Sequence, residues 1–457
     1  LAGISTSTTW AADAGDADLQ NQIHELRQKL DELQTKQSEA ASRAATAAQV
    51  DRAVAAAIED AKRNDQFLAI EGFTAGHQDG FKIQSADGTF LMQPSIFAQF
   101  RFIANARQDS KNGGSDDYQS GFEIRRLKFA LDGNLWSKDL TYRFQWNTSR
   151  TNGTLVLDEG FAKYHFAGTP WALRVGTFAN AWDHETENSS KKLLAVERSL
   201  VQNVLVSGGI NSENYVQGVE LTYDAGGDLR AWINYNDGIN SRNTAFTDGG
   251  AGAPLLGLGT PSGAVSGRVT YKFLGDWKDY LDSTALGTKK DLLVVGGGFD
   301  YESADNVSVL LHTVDVQYES AAIKGLALSA AYYGAYRDFR TVAAGVDDST
   351  YEWGALAQAS YLIDPQWEIF ARYDFVHLNK NAPSGTGTLG AAAKVTDLIH
   401  EITLGVNYYL KGHAAKFTID GTYLPNGCPI DLNGAGILSQ PNDKAQFLLR
   451  AQFQLLL

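Results

Sequence analysis

Leu140-Thr141-Tyr142-Arg143-Phe144-Gln145-Trp146-Asn147 sets four large apolar side chains at even positions and four polar ones at odd positions. Alternation of period two puts the two sets on opposite faces of one strand. The stretch Ala445 to Leu457 repeats the pattern. Ala445, Phe447, Leu449, Ala451, Phe453, Leu455 and Leu457 fall on one side, and Arg450, Gln452 and Gln454 on the other. From Phe90 onward this period recurs and predicts sixteen strands. They lie at 94–106, 121–135, 139–149, 156–167, 171–180, 214–224, 229–237, 264–275, 291–302, 308–319, 325–337, 350–363, 366–378, 398–411, 414–424 and 444–457.

Strands of soluble domains usually have 5 to 6 residues, so sixteen strands of roughly 10 to 14 residues argue against a β-sandwich. The links point the same way. Ser137-Lys138, Thr169-Pro170, Asp364-Pro365 and Gly412-His413 mark short turns, and 181–213, 238–263, 379–397 and 425–443 are long loops of the opposite parity. Long loops at one end and short turns at the other belong to a transmembrane barrel. Short exterior links at 150–155 and 303–307 and a long inner link at 276–290 fit less well, and leave 14 or 18 strands open. The fold class expected is all-β, a 16-stranded antiparallel transmembrane barrel over 94–457, with a linker and short hairpin at 66–93.

Composition agrees. The 457 residues include 45 Gly, 9 Pro, 19 Tyr and 9 Trp, and the mean hydropathy is slightly negative. Strands apolar on one face only give such values. The other face carries many charges, and burying ions dry costs several kcal/mol each, so that face must line water. Tyr164, Phe166, Tyr271, Phe273, Tyr361 and Tyr408 lie near strand ends, where interfacial aromatics belong. A net charge of −14 makes nucleic acid an unsuitable partner, and the membrane lipid is the expected one.

Residues 18–65 have a different period. Leu19, Ile23, Leu26, Leu30 and Leu33 follow a 4-3-4-3 spacing, a heptad seam. A coiled coil in the periplasm is expected, associating copies of the chain or, alternatively, tethering the outer membrane to the cell wall or another envelope layer. A single helix packed on the barrel is the simpler reading. Residues 1–17 read as a signal remnant or a disordered terminus, with Thr9-Trp10-Ala11 shaped like a cleavage site.

Enzyme chemistry finds no footing. Cys428 lies in what reads as an exposed loop, the histidines (His165 and His184 among them) lack metal spacing, and Gly296-Gly297-Gly298 sits inside a strand with no helix after it. Asp158 and Glu159 are adjacent on a strand and are expected on opposite faces. No catalytic residue, metal or cofactor is expected.

Several segments carry a resemblance. Phe81 to Gly88 with Phe90-Leu91, Gly121-Phe122-Glu123-Ile124-Arg125-Arg126-Leu127-Lys128-Phe129, Asp158 to Ala162, Leu173-Arg174-Val175-Gly176 and Glu197-Arg198-Ser199 are similar to those of the phosphate- and polyphosphate-selective porins of Gram-negative outer membranes. The resemblance spans roughly residues 80 to 457. It implies a homotrimer of 16-stranded barrels, each with its own pore, an inward-folded third loop, and anion passage along rows of basic residues.

The third long loop, 181–213, holds apolar residues at helical spacing: Leu193, Val196, Leu200 and Val204. Folded inward, it would turn Lys191, Lys192 and Arg198 to the aperture, with Glu197 nearby; a helix capping the outer rim is the alternative. Alternation puts Arg126, Lys128, Arg143 and Arg174 on the polar face of the first strands. It puts Asp315, Glu368, Asp374 and Glu401 on that of the last ones. A basic wall facing an acidic wall is the resulting expectation, and salt bridges that merely stiffen the cylinder are the competing one. The function expected is passive diffusion of small hydrophilic solutes, with a preference for anions such as phosphate.

Overall fold

The computed structural model describes residues 24–38, 73–77, 80–111, 114–206, 215–238, 261–286, 290–304, 307–340, 342, 346–383 and 389–457. The chain forms two units, Leu1–Ala75 and Gly76–Leu457.

In the first unit, residues 24–38 form helix α1. Lys29 pairs with Glu25 and Lys36 with Glu32, at 3.1 and 2.7 Å, each four residues apart on one face. Leu26, Leu30 and Leu33 of the expected seam are all exposed. Leu19, Ile23 and residues 39–65 lie outside the described residues. Strand β1 (Phe73–His77) spans the boundary between the units.

The second unit opens with the short strand β2 (Phe81–Ser85), which pairs with the start of β3 (Leu91–Lys111) through Ile83↔Met92. Sixteen strands follow in an antiparallel meander. They are β3, β4 (Ser115–Asn134), β5 (Leu140–Thr148), β6 (Leu155–His165), β7 (Trp171–Ala179), β8 (Tyr215–Asp224), β9 (Leu229–Asn236), β10 (Pro261–Leu274), β11 (Leu292–Ala304), β12 (Val307–Ser320), β13 (Leu326–Phe339), β14 (Ser349–Leu362), β15 (Trp367–His377), β16 (Leu398–Lys411), β17 (Ala415–Leu424) and β18 (Gln446–Leu456). The last pairs with the first, from Gln446↔Arg107 to Leu456↔Phe97, and closes the barrel. Closure removes both sheet edges, which hydrocarbon could not satisfy.

The strand count agrees with the sequence reading, and the largest shift of boundaries is at the first hairpin. Residues 107–120, expected as a loop, extend β3 and β4 into a hairpin that runs past the rest of the barrel.

Outward side chains are large and apolar: Phe122, Ile124, Val269, Val314 and Leu404 are all exposed. On β14, Tyr351 and Tyr361 mark the two ends of that surface. Ten residues at ~3.3 Å, tilted about 40°, separate them by about 25 Å, the height of an apolar band in an outer-membrane barrel. Among the described residues no helix is long and apolar enough to cross a membrane; the crossing is made by strands.

Candidate pore constriction

Residues 180–206, between β7 and β8, fold into the barrel. Short polar caps shape them. Asp183 accepts from Thr186 N at 3.0 Å and starts helix α2 (His184–Glu187). Ser189 begins a single 3-10 turn over Ser190–Lys192. Ser199 accepts from Gln202 N at 3.2 Å and starts helix α3 (Leu200–Leu205). The expected helix through Leu193 and Val196 is therefore shorter. The Ser199 cap puts the first helical turn at Leu200, and 193–199 run outside it.

The segment lies against the β12–β18 side of the lumen. Leu200, Val201, Val204 and Leu205 pack with Tyr333, Leu356, Val376 and Ile399 in one buried cluster. Polar wall groups hold its backbone. Lys416 Nζ donates to Leu193 O at 2.7 Å, Asn407 to Leu194 O at 3.0 Å and Arg372 Nη1 to Glu197 O at 2.9 Å. Val196 N donates to Asp420 at 2.9 Å.

The four residues read as an acidic wall stand on inward strand faces, but the inserted chain covers them. Asp315, Glu368, Asp374 and Glu401 are 2, 0, 0 and 1 % exposed. Arg268 binds Asp315 through both terminal nitrogens, at 2.8 and 2.9 Å. Arg372 reaches Glu401 at 2.6 Å and Asp374 at 3.2 Å. Glu368 accepts from Ala285 N and Asn407. Alternation gave the side these residues occupy. Their cover comes from a loop, whose path strand period does not encode.

The long inner link has the same explanation. Residues 276–286, with the short helix α4 (Trp277–Tyr280), turn into the lumen from the opposite end. Tyr280 donates to Asp315 at 3.1 Å, and Ser283 accepts from Asn188 at 3.0 Å. The two inserted segments thus meet. Lys192, expected at the aperture, belongs to this junction: its carbonyl accepts from Ser283 N and its Nζ is 3.9 Å from Asp282. Residues 425–445 also fold inward. Cys428, read as exposed, is fully buried, its thiol pushed up to about 12 by burial.

What stays open lies toward β3–β8. A cavity of about 430 Å³ is lined by Arg125, Arg126, Lys128, Arg143, Lys191 and Arg198, against Asp158, Glu159 and Glu187. Among the residues singled out from sequence, this space brings together Lys191, Arg198, Arg126, Arg143 and Lys128. Arg174 stands apart from it, paired with Glu220 and held between the rings of Phe161 and Phe178.

Two β-bulges shape this lining. Gln99 pairs with Arg126 and Phe100 with Ile124, so Arg125 is an extra residue in β4. Gln145 pairs with Glu159 and Trp146 with Leu157, so Asp158 is the extra residue in β6. A bulge lets two consecutive side chains share a face. Arg125 thereby joins Arg126 inside, where strict alternation had placed it outward. Asp158 and Glu159 both face inward, contrary to the expectation of opposite faces: Asp158 pairs with Lys128 at 2.8 Å and Glu159 with Arg143 at 2.6 Å.

Glu197 organises the basic cluster. Its carboxylate accepts from Arg125 Nε and Arg126 Nη2, each at 2.7 Å, with Arg101 Nη2 at 3.6 Å. Burial alone would raise this carboxyl, but Arg125, Arg126 and Arg101 together hold it well below its ordinary range. Lys191 has no carboxylate partner among the described residues; its Nζ lies 5.7 Å from the centre of the Phe97 ring. Burial and the cations of Arg143 and Lys128 lower its pKa. Arg198 spends its donors on the carbonyls of Glu185 and Asn188, at 2.9 and 3.1 Å. Among the described residues no group of His, Cys, Asp and Glu could hold a metal ion.

The fold is that of known outer-membrane channels. An anion-selective porin from Comamonas acidovorans matches with a TM-score of 0.52 at 11% identity, over 80% of this chain and 100% of that one. Pseudomonas putida OprB, solved at high pH, matches at 0.51 and 11%, over 79% and 94%. Salmonella typhi OmpF, in complex with daunomycin, matches at 0.50 and 14%, over 80% and 98%. No curated protein matches the chain. The sequence pattern of the family described as phosphate-selective porin O and P matches residues 98–424. The chain belongs to that family of porins, and is an outer-membrane channel.

Proposed function

We propose that this channel passes small hydrophilic solutes and favours anions at a constriction made by Lys191, Arg198, Arg125, Arg126, Arg143 and Lys128. One observation supports this above others. The open cavity is lined by six basic and three acidic side chains, while Asp315, Glu368, Asp374 and Glu401 are sealed beneath inserted chain. Fixed positive charge in a narrow, low-dielectric passage raises the local concentration of anions. Phosphate, the solute in the family's name, is a natural candidate within this class. The working unit is read as a homotrimer, with the seam of Leu19, Ile23, Leu26, Leu30 and Leu33 associating three helices in the periplasm.

A planar bilayer under a tenfold KCl gradient tests the selectivity. The reversal potential is expected on the anion side, and added phosphate is expected to reduce the chloride current. A reversal potential on the cation side overturns the reading.

A further inference from the structure

The outer wall over β12–β16 departs from a plain lipid-facing surface. Cross-strand register sets His312, Gly334, Trp353 and His377 in one row. His400 stands one row nearer the periplasm, beside Phe375. These side chains face outward, since their neighbours along each strand are the buried ones. The row lies two residues from Tyr351, at the extracellular edge of the apolar band.

Hydrogen bonds knit the patch. His312 Nε2 and Tyr351 Oη are 3.0 Å apart, Tyr351 and Tyr332 hydroxyls 2.6 Å, and Tyr373 Oη and His400 Nδ1 2.8 Å. His312 and Tyr351 belong to strands on either side of β13, and they meet above Gly334. A Cβ at that position would collide with both. His377 lies against the Trp353 ring, 6.0 Å between centres, and has no hydrogen-bond partner among the described residues. Polar rings of this kind are costly against hydrocarbon unless something polar meets them.

Directly below, on the same strands, the wall hollows out. Ala330 pairs with Ala357 and Ala359 with Ala371. These four small residues floor a groove of about 610 Å³ between the taller Tyr318 and Leu404. Such a volume is on the scale of a small-molecule pocket, roughly 300–1,000 Å³. The groove meets the polar patch at Tyr373, whose hydroxyl lies 2.8 Å from His400, and runs from there through the apolar band, away from the histidine row.

We infer that this surface is a binding site for one acyl lipid with a phosphate-bearing headgroup, drawn from the outer leaflet. The order of chemistry along the wall is that of the lipid. Imidazole and phenol donors stand at headgroup depth, where they complement a phosphate. An apolar trough as deep as one methyl-for-ring exchange lies at chain depth beneath them. A second copy of the chain would need a ridge matched to both parts at once. A lipid carries both in one molecule.

The full-length protein, reconstituted in nanodiscs of phosphatidylglycerol and phosphatidylethanolamine with or without lipopolysaccharide and then extracted into mild detergent, tests the site by native mass spectrometry. The unmodified chain is expected to retain a phosphate-bearing lipid at least fivefold more often than an Ala357→Phe/Ala371→Phe variant, whose rings fill the trough. The retained mass tells a glycerophospholipid from a lipopolysaccharide. A His312→Asn/His377→Asn variant is expected to lose the preference for phosphatidylglycerol over uncharged diacylglycerol while still holding an acyl chain. Heat-modifiable gel mobility shows that each variant is a folded barrel. Equal retention by the filled and unmodified proteins overturns the inference. So does efficient disulfide formation between copies through Ala357→Cys, which would put a second chain in the groove.

Discussion

Arg126 donates from Nη2 to Glu197 Oε1 at 2.7 Å, and that bond joins the β4 wall to the segment that narrows the lumen. Glu197 is buried, and removing one partner from a buried ionic cluster costs about 3–5 kcal/mol. Glu197→Gln should therefore loosen residues 180–206 while leaving the barrel closed. It should also free the guanidiniums of Arg125 and Arg126. Higher single-channel conductance and a stronger anion preference are expected together. Unchanged conductance would show that the segment is held by its other contacts alone.

Acid should act through the same carboxylate. Its folded pKa lies well below the ordinary 4.5. A depressed value means that the contribution to docking is complete above about 4.5, the unfolded value, and declines as the pH falls toward the folded value. Conductance should hold steady from neutrality down to that point and change only in stronger acid. In Glu197→Gln this acid step should be absent. A conductance transition near neutral pH that depends on Glu197 would contradict the assignment.

Lys191 and Lys192 are neighbours in sequence and differ in position. Lys191 lines the open cavity, and Lys192 is turned toward Asp282. A unit charge about 6 Å from a passing ion in a water-like dielectric is worth about 0.7 kcal/mol, roughly a threefold change. The effect has opposite sign for anion and cation, so Lys191→Gln should reduce the anion-to-cation permeability ratio by up to about tenfold, and Lys192→Gln should leave it near the original value. Reversal potentials of the two variants, measured side by side, decide the matter. Equal effects would mean that the lysines act only through the general field of the protein.

The contrast between those lysines marks where sequence reading stops. The sixteen strands were legible because a half-wet wall enforces period two over each one, as in Leu140 to Asn147. The inside position of Arg126, Lys128 and Arg143 followed from the same rule. Arg125 and Asp158 escaped it because a bulge changes phase without a dedicated residue type to announce it. The burial of Asp374 and Glu401 escaped it for a different reason. Their cover is supplied by residues some 170 or more positions earlier, and contacts at that separation leave no local period. Gly298 is a third case. Within Gly296-Gly297-Gly298 the sequence spoke only against a phosphate loop, whereas the structure gives one of the three a seating role.

That role can be tested directly. A Cβ on Gly298 would overlap the carbonyl oxygen of Trp182, a backbone atom that cannot rotate away. Trp182 itself is fully buried at the start of the inserted segment. Gly298→Val adds a residue well suited to a strand, so the barrel should assemble with ordinary heat-modifiability. The inserted segment should nevertheless be displaced from the wall. Protease added to the assembled protein should then cut within 180–206 much faster than in the original chain. Slow cutting in both would show that the wall yields at this point instead of the segment.

Cys428 provides an internal reporter for the third inward fold. Its Sγ donates to Ile430 O at 3.3 Å, and burial pushes the thiol from 9.0 to about 12. The thiolate is the reactive form, and burial leaves much less of it at neutral pH than in the unfolded chain. A water-soluble maleimide at pH 8 should therefore label the folded barrel far more slowly than the heat-denatured chain. Leu432, Ala435 and Ile437 pack in the same buried cluster as Cys428. Ile437→Asp should place an unpaired charge there and lift residues 425–445 out of the lumen, restoring rapid labelling while the strands stay paired. Rapid labelling of the unmodified folded protein would mean that this loop does not stay inside.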